Sequence, residues 1–263
     1  MVIDCHTHVG SHLGADGINR AAPGELSAEY ETRTEIMDAN GIDQAVVLPT
    51  YTYDKRQGAV GTRALNDRLK HLEGEYDRFC RAIGTVEPLH GDAALDELER
   101  MAEMGFEGVS WHHRYQGTAI DDPTTVSCLE RAGELDLVPF VHAYQLYEAE
   151  NFDHLENALE HTDGPVVVLD ALTSAPNVER AIDLGQRFEN VRFDTGMLYS
   201  LDNVVERIVD ELGPERLLFG TAFYATPLQY RKSATLFQVE TADVSEPARQ
   251  RILEGNVSDL LDL

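Results

Sequence analysis

Lysine is nearly missing from this chain. In 263 residues it occurs only at Lys55, Lys70 and Lys232, and 47 acidic residues face 21 basic ones. The formal net charge of −26 argues against nucleic acid or an anionic membrane as partner, because both demand a basic surface. Cysteine is equally sparse. Cys5, Cys80 and Cys128 are odd in number, far apart and without CxxC spacing, which predicts free thiols in a reducing compartment. No apolar run approaches the roughly 18 residues a membrane span needs. No GxGxxG or GxxxxGK(S/T) phosphate loop is present either.

What the chain does have is acid, and a core's worth of apolar residues at 43%. Abundant acid with scarce lysine fits a protein adapted to a salt-rich cytoplasm. At about 1 M salt the Debye length falls to roughly 3 Å, so self-repulsion is screened. The motif described next begins at the N-terminus, leaving no room for a signal peptide, and cytoplasmic location is the expectation.

Short β-branched runs alternate with amphipathic stretches. Strands are predicted at 2–9, 44–48, 81–86, 108–112, 138–143, 166–172, 191–195 and 217–221. Helices are predicted at 93–104, 125–135, 153–161, 177–188 and 201–212. Alternation of this kind implies parallel pairing, and eight such strands fit one (β/α)8 TIM barrel, an α/β fold of about 250 residues. A doubly wound open sheet is the alternative, and the missing phosphate loop gives it no support. No linker divides residues 1–263, so one domain is expected. The segment 10–32, with four glycines and a proline, reads as a long loop over the barrel mouth.

His6-Thr7-His8 ends the first strand. Strict alternation would put both imidazoles on one face with Asp4, leaving Cys5 and Thr7 on the outer face. The fourth strand runs into Trp111-His112-His113-Arg114, the fifth ends in His142, the sixth in Asp170 and the seventh in Asp194. In such barrels the working residues sit at these C-terminal strand ends. Three histidines and a carboxylate there could hold a divalent ion with a position left for water, which suits hydrolysis, hydration or decarboxylation. His112 and His113 are adjacent, so a strand turns only one of them inward. Arg114 could pair with a substrate carboxylate or serve as a surface ion-pair residue. Trp111, Tyr115, Tyr144 and Tyr199 could wall a substrate or simply pack. Asp170, closing a Val-Val-Val-Leu run, could be a ligand, a general base or a structural acceptor.

Several segments together make the chain resemble the amidohydrolase superfamily. They are Ile3-Asp4-Cys5-His6-Thr7-His8, Asn66 with Tyr76-Asp77-Arg78-Phe79, and Gly105-Phe106-Glu107-Gly108-Val109. Further along come Val138-Pro139-Phe140-Val141-His142, Arg216-Leu217-Leu218-Phe219-Gly220-Thr221, Ile252-Leu253-Glu254-Gly255-Asn256 and Leu260-Leu261. The similarity is to the branch related to aminocarboxymuconate semialdehyde decarboxylase and oxalomesaconate-type hydratases. It implies a divalent ion, zinc or manganese, on His6, His8 and His142, with His112 lining the pocket and a dimeric assembly. The chain departs from that pattern twice. Asp170 stands where the family places a histidine, and Ala222 stands where it places a metal-binding, water-activating aspartate.

The expectation is therefore a metal-dependent hydrolase or lyase acting on a small carboxylated or carbonyl compound, with Asp170 and His112 catalytic and Arg114 and Trp111 at the substrate. A metal-independent lactonase, or a degenerate barrel that binds a ligand or protein, is the alternative that Ala222 motivates. Salt adaptation is separately testable. The melting temperature should rise markedly between low salt and molar potassium chloride in a thermal scan, and a flat profile removes the idea.

Overall fold

All eight apolar segments form strands in the computed structural model, which describes residues 1–10, 17–198, 203–223 and 233–263. Tyr199, part of the 10–32 segment and the start of the helix expected from 201 lie outside the described residues. The strands are β1 (Ile3–Val9), β2 (Gln44–Pro49), β3 (Phe79–Ala82), β4 (Gly84–Thr85) and β5 (Gly108–Trp111). They continue with β6 (Val138–His142), β7 (Val166–Leu169), β8 (Val191–Asp194) and β9 (Leu217–Leu218). Neighbours in sequence pair in parallel throughout, as β1-β2-β3 and as β4 to β9. The third predicted strand is split at Ile83: β3 pairs back to β2, β4 pairs forward to β5, and Ile83 donates its N–H to Val47.

The last strand returns to the first. Cys5 donates to the Phe219 carbonyl at 2.9 Å, Ala222 to that of His6 at 2.8 Å, and His8 to that of Phe223 at 2.8 Å. The architecture is the expected (β/α)8 barrel. Its helices are α1 (Pro23–Asn40), α2 (Ala59–Glu75), α3 (Asp92–Glu103), α4 (His113–Gln116), α5 (Pro123–Glu134) and α6 (Phe152–Leu159). They continue with α7 (Ala175–Arg187) and α8 (Val204–Leu212), and α9 (Ala234–Thr241), α10 (Glu246–Gln250) and α11 (Asn256–Leu260) follow β9. Asp122, Asn151 and Ser174 cap α5, α6 and α7 by accepting the N–H of Thr124, His154 and Asn177. Among the described residues no helix is long and apolar enough to cross a membrane.

Two expectations are corrected. The segment 10–32 is not one loop, because α1 starts at Pro23. Proline is preorganised for a first helical turn, and the Glu25 carboxylate accepts the Ala22 N–H at 2.6 Å. Alternation also fails inside β1, whose register against β2 slips between Asp4 and Thr7. The extra residue of such a bulge reverses parity along the strand. Ile3 and Cys5 consequently pack inside the barrel with Val46, Leu48 and Phe140. Asp4 turns outward beside Arg33, Ile36 and Met37 of α1, and does not share the histidines' face. There it clamps the barrel seam, accepting Thr221 Oγ1 at 2.6 Å and the N–H groups of Thr221 and His6 at 3.0 Å each.

Other family-like residues prove structural. Asn66 on α2 bonds both backbone groups of Thr85, at 2.9 and 3.0 Å, and holds the short β4 in place. Arg216 donates to the carbonyls of Val191, Gly185 and Phe188, and Asn256 to those of Pro214 and Leu217.

His113 opens α4 fully buried, and neither ring nitrogen has a hydrogen-bond partner among the described residues. Burial, with the charges of His112 and His154, pushes its pKa down to about 3. Between the ordinary histidine value near 6.5 and about 3 the unfolded chain binds a proton that the folded chain refuses, so folding stability falls as pH falls across that window. A His113→Leu variant should lose one proton's share of that slope, about 1.4 kcal/mol per pH unit. Urea unfolding at several pH values reads it, and an unchanged slope contradicts it.

Candidate metal centre

Three strand ends converge. β1 carries His6 and His8, and β6 ends in His142, all fully buried. His6 Nε2 lies 2.9 Å from His8 Nε2, which lies 3.4 Å from His142 Nε2. The remaining ring nitrogens explain this orientation. His8 Nδ1–H donates to the Pro49 carbonyl at 2.8 Å, His142 Nδ1–H to that of Trp111 at 2.8 Å, and His6 Nδ1–H to Asp194 Oδ2 at 2.7 Å. A neutral imidazole with its proton on Nδ1 presents a lone pair at Nε2. While His6 is protonated its Nε2–H can donate to His8 Nε2, and once all three rings are neutral the three Nε2 lone pairs repel one another unless a metal cation lies among them. Nitrogen ligands at about 2.0–2.1 Å from zinc stand about 2.9–3.4 Å apart for angles from about 90° to 109°, so the spacing fits one divalent ion.

Protonation follows the same layout. Burial, then the charge of His6, holds His8 well below the usual histidine range. Burial, then His112 and His6, does the same to His142. Both rings are neutral and able to ligate. Burial also acts against a charge on His6, but the carboxylates of Asp170, Asp194 and Asp4 outweigh it and raise His6 to about 9.

Two carboxylates border the cluster. Asp194 closes β8, and its Oδ1 accepts the backbone N–H of Asp170 at 2.8 Å while Oδ2 holds His6. Asp170 follows β7 in a left-handed conformation, φ 60°, which aspartate tolerates better than most residues. Its Oδ1 is 3.8 Å from His6 Nδ1 and makes no hydrogen bond among the described residues. Burial raises the Asp170 pKa against the pull of His6, and the charges of Asp194 and Glu150 add to the rise. His6, His8 and His142 form one group able to hold a metal ion, and His6, Asp170 and Asp194 form another.

His112 stacks on His142, with ring centroids 4.4 Å apart and planes 9° from parallel. It turns inward, as one of the adjacent pair must, while His113 turns into the packing behind. Trp111 is not a substrate contact. Strand parity sends its indole into the outer core with Val109 and Val141, and only its carbonyl serves the site. Arg114 is exposed at the rim, its guanidinium 4.0 Å above the Tyr147 ring. Sequence reasoning missed two neighbours. Tyr51 lies edge-on to His8, His112 and His142 and donates to Ser110 Oγ at 2.8 Å. Its position just beyond β2 was a usable signal. Glu150, fully buried, accepts His112 Nδ1–H at 2.6 Å, and nothing in sequence separates it from the other acidic residues.

A family model described as amidohydrolase matches residues 3–263. No curated protein matches the chain in sequence. Similar solved structures include 2,6-dihydroxybenzoate decarboxylase complexed with 2,6-dihydroxybenzoate, at 18% identity and TM-score 0.72 over 100% of this chain and 98% of that one. Another is 5-carboxyvanillate decarboxylase from Sphingomonas paucimobilis, at 15% identity and TM-score 0.73 over 100% and 99%. A third is dihydroxybenzoic acid decarboxylase from Polaromonas sp. JS666, with bound manganese and the inhibitor 2-nitroresorcinol, at 17% identity and TM-score 0.72 over 100% and 97%. At these identities the likeness is one of fold.

Ala222 occupies the position where a carboxylate was expected. It also sits at φ 52°, a conformation costly for any residue with a Cβ, held by its N–H to the His6 carbonyl. A Cβ added at Gly196 would stand 3.1 Å from the Ala222 methyl, 2.5 Å from Asp194 Oδ2 and 2.7 Å from Asp170 Oδ1, so both carboxylates lie beside this corner. Relieving the left-handed strain with Ala222→Gly should raise stability by about 1 kcal/mol. An unmoved or lower urea midpoint would contradict the strain.

Proposed function

This chain belongs to the amidohydrolase family, and from that premise we propose that it is a metal-dependent lyase or hydrolase acting on a small carboxylated or carbonyl compound, with decarboxylation of an aromatic acid as the leading reaction. The observation that carries the proposal is the meeting of three Nε2 atoms, on His6, His8 and His142, beside two buried carboxylates. These histidines would hold one zinc or manganese ion. Bound there, the ion would polarise a substrate oxygen and fix the acid group's position.

The rest falls to this chain's own side chains. Loss of carbon dioxide from an aromatic ring leaves an electron pair on the ring carbon, which must take up a proton. Asp170 holds a carboxyl group whose burial favours the protonated form, with one oxygen unpartnered, so it can give that proton and recover it from solvent. His112 offers Nε2, and Tyr51 and Tyr115 stand edge-on to its ring, as walls for a flat substrate. Arg114 is available at the rim for a second acidic substituent. Asp194 orients His6 through Nδ1, the carboxylate–histidine support that metal ligands commonly have. The decarboxylases of similar fold support an aryl acid over other substrates. Ala222 supports hydrolysis less, because alanine cannot activate water as a carboxylate at that position would.

Metal analysis decides the matter first. Protein prepared without added metal or chelator should contain about one equivalent of zinc or manganese. A His6→Ala/His8→Ala variant should lose it with its circular dichroism unchanged. The loaded protein should release carbon dioxide from a panel of hydroxybenzoates and carboxyvanillates, and Asp170→Asn should slow it about 100-fold or more. No metal in either protein, and none taken up on reconstitution, would overturn the proposal and redirect the search to metal-free lactone hydrolysis.

A further inference from the structure

Glu150 is a buried charge to which the function proposed above gives no part. It ends a single turn, Glu148–Glu150, after β6, and is fully buried. A carboxylate out of water is costly unless hydrogen-bonded or paired. Only one of its oxygens is engaged. Oε1 accepts His112 Nδ1–H at 2.6 Å and the Arg114 backbone N–H at 2.9 Å, while Oε2 has no partner among the described residues. The turn is fastened in place from both sides. Ile120 donates to the Ala149 carbonyl at 3.1 Å, and Gln145 donates to that of Glu150 at 3.1 Å while accepting the Phe152 N–H at 2.9 Å.

The His112 ring shows what this carboxylate supplies. Its plane is fixed by the stack on His142 and by the edges of Tyr51 and Tyr115, with centroids 4.4, 5.4 and 4.6 Å away. Those contacts fix the plane and nothing more. Rotation by 180° about Cβ–Cγ leaves an imidazole's outline almost unchanged, so packing alone accepts either ring orientation. The flip would exchange nitrogen for carbon at both positions. Only a directional hydrogen bond distinguishes the two, and only the bond to Glu150 does so here, because His112 Nε2 makes none among the described residues.

We propose that Glu150 is a positioning residue that selects one ring orientation and tautomer of His112, so that Nε2 is the atom presented to a ligand beside His142. Its chemistry rests on the function proposed above, but the ring's state can be read without turnover. In holding an aryl acid, a flipped ring would offer a carbon where the substrate needs a nitrogen. Glu150 itself touches no substrate. Its effect passes wholly through His112, as the effect of an orienting carboxylate on a catalytic histidine does.

The test uses zinc-loaded protein, or protein as purified should it take up no zinc, with 15N-labelled histidine. Long-range proton–nitrogen correlation spectra identify His112 by the signals lost in His112→Gln. In the wild type, Nδ1 should be protonated and slow to exchange with water. Glu150→Leu should release the ring into mixed tautomers, and Glu150→Gln, which keeps an acceptor of the same shape, should restore the wild-type pattern. With a turned-over aryl acid, kcat should fall about 10- to 100-fold in the leucine variant with KM little changed, and recover in the glutamine variant. Metal content should match the wild type in both. An unprotonated Nδ1 in the wild type overturns the proposal outright, whatever the variants do. So does a folded leucine variant whose His112 signals match the wild type. Absence of turnover in every protein would count against the function proposed above and leave the nitrogen spectra to decide Glu150 alone.

Discussion

Three imidazole nitrogens held a few ångströms apart are the constraint from which the rest of this barrel's mouth can be understood. Each is aimed by an acceptor behind the ring: Asp194 for His6, the Pro49 carbonyl for His8 and the Trp111 carbonyl for His142. Such an arrangement is unfavourable by itself and favourable around a cation. The buried carboxylates are the electrostatic counterpart. Asp170 and Asp194 would be costly to bury alone, and they lie where positive charge collects, whether a proton on His6 or a divalent ion. Removing either sign from this corner leaves the other uncompensated.

The same corner explains how the chain can lack a carboxylate at position 222. Acid comes instead from the ends of β7 and β8, and those side chains lie beside the alanine methyl. A third carboxylate would add repulsion in a low-dielectric space that already holds two. The small residue is thus consistent with the local charge, even though the backbone there pays in torsional strain. A barrel permits carboxylates from different strands to share one corner, because every strand end faces the same mouth.

Much of this was legible in sequence, and the exceptions have identifiable causes. The eight strands and the parallel barrel follow from β-branched runs alternating with helical periodicity, and the strand-end rule picked out His6, His8, His142, Asp170 and Asp194. The face assigned to Asp4 and Cys5 was wrong because period-two reasoning assumes an unbroken ladder, and a bulge of one residue is invisible to it. Trp111 was misread for a related reason: its neighbour His112 takes the inward position, and the two cannot share it. Glu150 could not be found at all. One glutamate on a short turn, among 47 acidic residues, becomes special only when the fold lays it against an imidazole.

The seam between the first and last strands bears on how the protein is made. Asp4 grips Thr221 across 217 residues of chain, and His6 and His8 share their backbone bonds with the same distant segment. At roughly 5–20 residues per second of synthesis, Thr221 emerges about 10–45 s after Asp4. Throughout that interval the two histidines that define the site have no barrel to sit in, and contacts this remote in sequence are slow to form even once the chain is complete. The mouth is therefore among the last parts of the molecule to exist, and a nascent chain carries its two-histidine motif long before it carries the three-histidine cluster.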